Sequence, residues 1–319
     1  MRSSISSSEA NAAVHVKVLL ALCVIVVVSI EVWARHSLTS YSMTYRRVSR
    51  QYREAVRSRP SRPGEPVSVL IVGNSLLLDG IDEERLREST SRTLQLYPLF
   101  LEATHYYDWL YGLRRLFRQG ARPQVLVVGL GMESLVENAV RPDYSPMLLF
   151  DARDVVGVSS DLALDRTATF NLLLSHWSVF WNMRRIIRVQ ILRRAIPDAG
   201  ELFSLFKKLP SNRIGPEFEA VATSRLRTLR QLGETHGAQV VLLIPPWSTS
   251  PAAVEQVIAA ARTAGLDPLV PIGLSALPAA FYEPDRIHLN SKGMARFTAA
   301  LETDLPRRIA ALKIATCRH

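Results

Sequence analysis

Short unbroken apolar runs alternate along this chain with longer stretches whose apolar residues recur every three to four positions. These are the signatures of buried strands and of helices with one buried face. Residues 67–72, 94–100, 124–129 and 239–244 read as strands. Helices are expected around 82–92 and over 106–119, 217–235, 251–264 and 292–309. Between them, 137–216 is richest in helix from 167 to 194. There Phe180, Trp181, Ile186, Ile187, Val189 and Ile191 alternate with Arg184, Arg185, Arg188, Arg193 and Arg194, as in a basic amphipathic helix. Such a helix either packs on the sheet with a solvated basic face or forms a lid facing a membrane or partner. Strands separated by helices imply parallel pairing, so the pattern predicts an α/β fold, a three-layer α/β/α sandwich with a mostly parallel sheet.

Ahead of this body, residues 18–30 are an unbroken apolar run, extended by Val16, Val32, Trp33 and Ala34, with only Lys17 and Glu31 intruding. At about 1.5 Å per residue, a helix over 16–34 approaches the roughly 30 Å of a bilayer core. Lys17 can snorkel at one end, and Glu31 and Arg35, four residues apart, can pair at the other. Three readings fit: an uncleaved transmembrane anchor, a secretory signal with its small-residue cleavage site at Val32-Trp-Ala34, and a buried core helix.

Charge complicates the orientation. The flank after the run carries Arg35, Arg46, Arg47, Arg50, Arg53, Arg57, Arg59 and Arg62, against Arg2 and Lys17 before it. The positive-inside rule alone therefore puts the body in the cytoplasm, whereas a basic helix lying on anionic lipid accounts for the same arginines. The formal charge of +10 suits an acidic polysaccharide or phospholipid surface. No recognised nucleic-acid motif accompanies it, and no nucleic-acid partner is expected. The cysteines, Cys23 in the apolar run and Cys317 in the tail, are not expected to pair, so the core must hold without cross-links.

Candidate chemistry lies at the two ends of the body. Gly73-Asn74-Ser75 follows the first strand, and Asp285-Arg-Ile-His288-Leu-Asn-Ser-Lys-Gly293 precedes the last helix. Serine is a poor nucleophile until an imidazole takes its proton, and the imidazole needs a carboxylate to fix its tautomer. Ser75, His288 and Asp285 supply those groups. Ser75 would sit at the carboxyl end of a strand, the edge where open α/β sheets bind ligands.

On these motifs the chain resembles the SGNH/GDSL-type hydrolases, in which the serine lies in a Gly-Asp-Ser or Gly-Asn-Ser turn and the acid and base share one Asp-x-x-His element. The resemblance implies an SGNH-hydrolase-like fold, a Ser75, His288, Asp285 triad and acyl-ester chemistry. Two further blocks depart from the pattern. Where the family has Gly-x-Asn-Asp, this chain has Gly129-Leu-Gly131-Met-Glu133-Ser134, with Glu133 replacing the asparagine, and an ionised carboxylate cannot donate to an oxyanion. The family's second block offers a glycine N–H, and its equivalent, Leu101-Glu102-Ala103-Thr104, has none. Asn74, Gly131, Glu133 and Trp247, the last following a strand, are the candidate oxyanion and pocket residues. The altered blocks suit a special acyl donor or a member that has lost activity.

Anchored relatives of this kind act in acetylation or deacetylation of cell-envelope polysaccharides outside the inner membrane. The resemblance therefore implies a single-pass inner-membrane protein with a periplasmic or extracellular body, an acyl-ester or carbohydrate substrate, and a membrane acyl-transfer partner protein. The rival class is a non-catalytic scaffold in an envelope assembly complex. The expected organisation is an N-terminal tail (1–15), a transmembrane signal anchor (16–34), a basic juxtamembrane linker (35–64) and a catalytic domain (65–319) with a helical insertion over about 137–216. No glycine-rich phosphate loop argues for a nucleotide, His105, His176 and His236 lack metal-ligand spacing and read as structural or surface residues, and neither cofactor nor metal is expected.

Overall fold

The computed structural model describes residues 5–196, 217–246, 251–273 and 277–312. Among these, β1 (Val67–Gly73), β2 (Leu94–Phe100), β3 (Val125–Gly129) and β4 (Gln239–Leu243) form one parallel sheet in the order β2-β1-β3-β4. Leu269 adds a single parallel bridge to Leu243 beyond β4.

Every second side chain of a strand faces the same layer, and both faces of this sheet are covered. Leu70, Val72, Leu126, Val128 and Leu242 join one core, with α2 (Met43–Val56), α5 (Tyr106–Arg118), α11 (Phe218–Thr235) and α12 (Pro251–Thr263). Val69, Ile71, Val125, Val127 and Val241 join the other, with α3 (Ser75–Leu78), α4 (Glu83–Thr90) and α13 (Ser291–Ala310). The result is a three-layer α/β/α sandwich, and it explains why the strands read as apolar runs rather than as alternating patterns.

The basic segment after the apolar run forms α2, whose Val48, Gln51, Tyr52 and Ala55 are buried. It runs against the strand direction. At its start the Arg47 Nη1 donates to the Phe100 carbonyl at 2.6 Å, and the Gln51 Oε1 accepts the Phe100 N–H at 3.1 Å, both at the carboxyl end of β2. Past its end, the Ser58 carbonyl accepts the Arg122 N–H at 3.0 Å, at the amino end of β3.

α1 (Ile5–Tyr41) precedes it, and one stretch, Ala12–Tyr41, is long and apolar enough to cross a membrane. Its apolar side chains from Val14 to Trp33 are exposed, while Ala34 and Leu38 are buried in the first core. Glu31 and Arg35 pair at 2.8 Å.

Residues 132–195 form five helices: α6 (Met132–Val136), α7 (Ser145–Leu148), α8 (Ala152–Asp161), α9 (Arg166–Trp177) and α10 (Val179–Ala195). The helix-rich stretch from 167 is thus broken at Ser178. Its hydroxyl accepts the Trp181 N–H at 3.1 Å and donates to Glu31 Oε2 at 2.8 Å. The Glu31 carboxylate also accepts the Val179 and Phe180 N–H groups at 2.8 and 3.2 Å, and Arg35 Nη2 donates to the Trp177 carbonyl at 2.7 Å. A new helix can start there because its orphan N–H groups meet an acid from a distant part of the chain.

Candidate active site

β1 ends at Gly73, and Asn74 caps the single-turn helix α3, which begins with Ser75 itself. The sequence pattern placed the next helix only near residue 82. The turn forms earlier because the Asn74 Oδ1 accepts the Leu76 N–H at 3.1 Å, while its Nδ2 donates to Ser134 Oγ at 3.0 Å and to the Thr104 carbonyl at 3.4 Å. Asn74 therefore ties together the loops that follow β1, β2 and β3. Beneath the turn, Leu77 drives its side chain into the space left by two glycines. A Cβ on Gly129 would stand 2.4 Å from Leu77 Cδ1, and one on Gly73 would stand 2.7 Å from the same atom.

The partner element is built by local hydrogen bonds. The Glu283 N–H donates to the His288 carbonyl at 2.8 Å, and Tyr282 and Leu289 form an antiparallel bridge. Arg286 turns the chain with φ 57°, a left-handed conformation that costs a non-glycine residue about 1–2 kcal/mol. Asp285 compensates by accepting, at Oδ1, the N–H groups of Ile287 and His288 at 3.0 and 3.1 Å. Asn290 then caps α13 through the Lys292 and Gly293 N–H groups. A Cβ at Gly293 would lie 2.2 Å from the Phe281 carbonyl oxygen, which accounts for the glycine of the motif.

The structure brings Ser75, His288 and Asp285 together. Ser75 Oγ and His288 Nε2 are 2.9 Å apart, and His288 Nδ1 lies 2.7 Å from Asp285 Oδ2. Partial burial of Asp285 opposes its charge, but the His288 ring and the two backbone donors outweigh it and hold the carboxyl well below the usual carboxylate range. An ionised acid on Nδ1 leaves Nε2 free to accept the serine proton.

The other candidates have different environments. Gly131 is buried at the N-cap of α6, and its backbone lies against Leu76; a Cβ there would be 2.8 Å from Leu76 Cδ1. Glu133 is exposed, and burial of part of its carboxyl together with Glu137 raises its pKa. Among the described contacts Glu133 makes none with Ser75, His288 or Asp285. It is Ser134, one residue on, that reaches Asn74. Trp247 lies outside the described residues.

Ala103 adopts φ 54°, so the segment without a glycine still takes a glycine-type backbone conformation. Around it, Glu102 pairs with Arg47 at 2.6 Å and with Arg141 at 3.4 Å. Three other histidines sit elsewhere: His105 faces Glu137, His176 meets the Pro146 carbonyl, and His236 stacks on Phe117.

Asp79 was not singled out by its sequence context. Its carboxylate lies 3.9 Å from His288 Nε2, one helical turn beyond Ser75, and burial raises its pKa. The signal available in the sequence was its i, i+4 spacing from the serine, informative only once the helix is known to begin at Ser75.

No protein-family model and no curated protein matches the chain. Similar solved structures include that of TesA, 12% identical with a TM-score of 0.39, over 74% of this chain and 97% of that one. A variant of Axe2, an acetyl xylan esterase from Geobacillus stearothermophilus, is 11% identical with a TM-score of 0.36, over 80% and 99%. The lipase Lip_vut3 from a goat rumen metagenome is 10% identical with a TM-score of 0.37, over 78% and 100%.

Proposed function

We propose that this protein is a serine acyl-ester hydrolase or O-acyltransferase that uses Ser75, His288 and Asp285. The observation that carries the reading is the continuous hydrogen-bonded chain from Ser75 Oγ through both ring nitrogens of His288 to Asp285, at the carboxyl edge of a parallel sheet. Ser75 Oγ attacks the ester carbonyl carbon while its proton passes to His288 Nε2. The tetrahedral intermediate expels the alcohol, which takes that proton, and the acyl group stays on Ser75. Water or a second hydroxyl, deprotonated by His288, then attacks the acyl-enzyme and frees Ser75. The Ser75 N–H, unpaired by helical geometry at the first position of α3, is a backbone donor available to the developing oxyanion.

In this reading α1 is a retained anchor in the inner membrane and the body lies on the periplasmic or extracellular side. The substrates are acetyl esters of cell-envelope or exported polysaccharide, handled with a membrane acyl-transfer partner. The exposed apolar surface of α1 supports the anchor. The substrate and the side rest on the motif resemblance. A non-catalytic scaffold in the same setting is the second reading, favoured by the loop after β3, where no asparagine stands at the position of Gly131 or Glu133.

The test is covalent. A fluorophosphonate should label the detergent-solubilised full chain, and Ser75→Ala should abolish labelling. A chromogenic acetyl ester, supplied with and without envelope-type oligosaccharides, then separates acetate release from acetylated sugar by mass spectrometry. A wild-type chain that stays unlabelled beside a reacting serine esterase supports the scaffold.

A further inference from the structure

We infer that the sheet edge carrying Ser75 faces the bilayer crossed by α1, and that the esters handled there are displayed on the headgroups of lipids in that bilayer. This rests on the anchor and nucleophile readings above and replaces the polysaccharide ester with a lipid-borne one.

The first support is the route of the chain. The exposed apolar surface of α1 ends at Trp33, and Ala34 and Leu38 already belong to the body. From Trp33 to Tyr41 is about 12 Å of helix. α2 then starts beside the catalytic edge, where Arg47 holds both the Phe100 carbonyl and Glu102. The next residue, Leu101, donates its N–H to the Gly73 carbonyl at 3.0 Å, two residues short of Ser75. The far end of α2 lies at the amino edge of the sheet, so the span leaves the body from the catalytic edge and not from the opposite one.

Height selects the substrate. A headgroup layer is about 5–8 Å deep, the difference between a bilayer's core and its full thickness shared between two faces. An ester at the glycerol level would have to be lifted out of the membrane to reach Ser75. One carried outward on a headgroup sugar stands closer to the catalytic edge.

The second support is the elbow between α9 and α10, tied to α1 by Glu31 and Arg35. Trp177 and Phe180 are 58% and 36% exposed there, and Phe170, two turns back on the same face of α9, is 60% exposed. Trp33 of α1, between the two residues that hold the elbow, is 58% exposed. Exposed aromatic residues of this kind settle at a membrane interface, and Arg185 and Arg188, exposed on α10, follow to meet lipid phosphate. A bilayer is the occupant because this face continues the lipid-facing surface of α1.

The experiment uses the full chain in vesicles of phosphatidylethanolamine and phosphatidylglycerol. One probe is a phospholipid bearing a fluorophosphonate on its headgroup through a short linker, and the other is a water-soluble fluorophosphonate at the same bulk concentration. In each, Ser75 Oγ displaces fluoride from phosphorus. The lipid probe should label at least about tenfold faster, because confinement raises a micromolar reagent toward millimolar local concentration. Dilution into detergent should remove the advantage. A W177A/F180A variant should lower the lipid-probe rate severalfold and leave the soluble-probe rate unchanged. A soluble probe that labels while the lipid probe gains nothing overturns the inference and leaves the nucleophile intact. Failure of both probes removes the nucleophile reading and the inference with it, and release of the chain from vesicles by high salt does the same for the anchor.

Discussion

Replacing Leu77 and Gly129 by alanine, singly and together, tests whether Ser75 is positioned by packing beneath its turn. Leu77 is fully buried, and Leu77→Ala leaves a cavity whose cost for a core leucine is about 3–5 kcal/mol. Gly129→Ala alone adds a methyl 2.4, 2.8 and 2.9 Å from three atoms of the Leu77 side chain, an overpacking of about 1–3 kcal/mol. Those three atoms are the ones that Leu77→Ala removes. The double variant should therefore lose less than the sum, with a coupling of about 2 kcal/mol, and should come within a few degrees of Leu77→Ala alone at about 2–4 °C per kcal/mol. The unfolding midpoint of the solubilised full chain, followed by tryptophan fluorescence, supplies the four corners of the cycle. The fluorophosphonate labelling rate should follow the same order, since Leu77 lies two residues past Ser75. Strict additivity, or a neutral Gly129→Ala in the wild-type background, refutes the packing argument.

Asp285→Asn should slow labelling of Ser75 by about 10³–10⁴, because the imidazole then presents the wrong nitrogen, and Ser75 labelling kinetics measure it. The same carboxyl, held low in the folded chain, contributes stability that is full above its unfolded pKa of about 4 and is lost as pH falls through its folded value. The difference in melting temperature between wild type and Asp285→Asn should accordingly shrink as pH falls below about 4. Asp79→Asn should change the labelling rate by less than about tenfold, since a half-exposed charge 3.9 Å from the ring is screened by solvent; complete loss of labelling would mean that Asp79 acts directly on the proton transfer. Glu31→Gln should speed hydrogen exchange at Val179, Phe180 and Trp181 while leaving β1 and β3 unchanged, and equal protection in both proteins would show that the elbow holds without its acid.

The strands were legible because a parallel sheet covered on both faces leaves its sequence no polar alternation to hide behind: 67–72 and 124–129 fall on β1 and β3 to within a residue. Ser75, Asp285 and His288 were legible because each sits in a turn whose shape is written locally, by the cap of Asn74 and by the two backbone bonds to Asp285. What escaped depends on partners far along the chain. The break at Ser178 needs Glu31, 147 residues away. The near approach of Asp79 to His288 needs the Asp285–His288 turn, from the far end of the chain, to be brought against the helix that Asn74 starts. Local pattern carries periodicity and turn chemistry; it does not carry which distant acid will satisfy a helix terminus.

The burial of Ala34 bears on how the chain is processed. A leader peptidase that cuts after a small residue requires an extended substrate, and Val32-Trp-Ala34 lies inside α1, four residues before a second buried contact at Leu38. Once the elbow has closed on Glu31 and Arg35, cutting there means unwinding the helix and stripping Ala34 from the core. Proteolysis of a folded segment follows the population of its opened form. In the anchor reading proposed above, docking of the elbow after synthesis of residue 180 would close a bond that stood open until then.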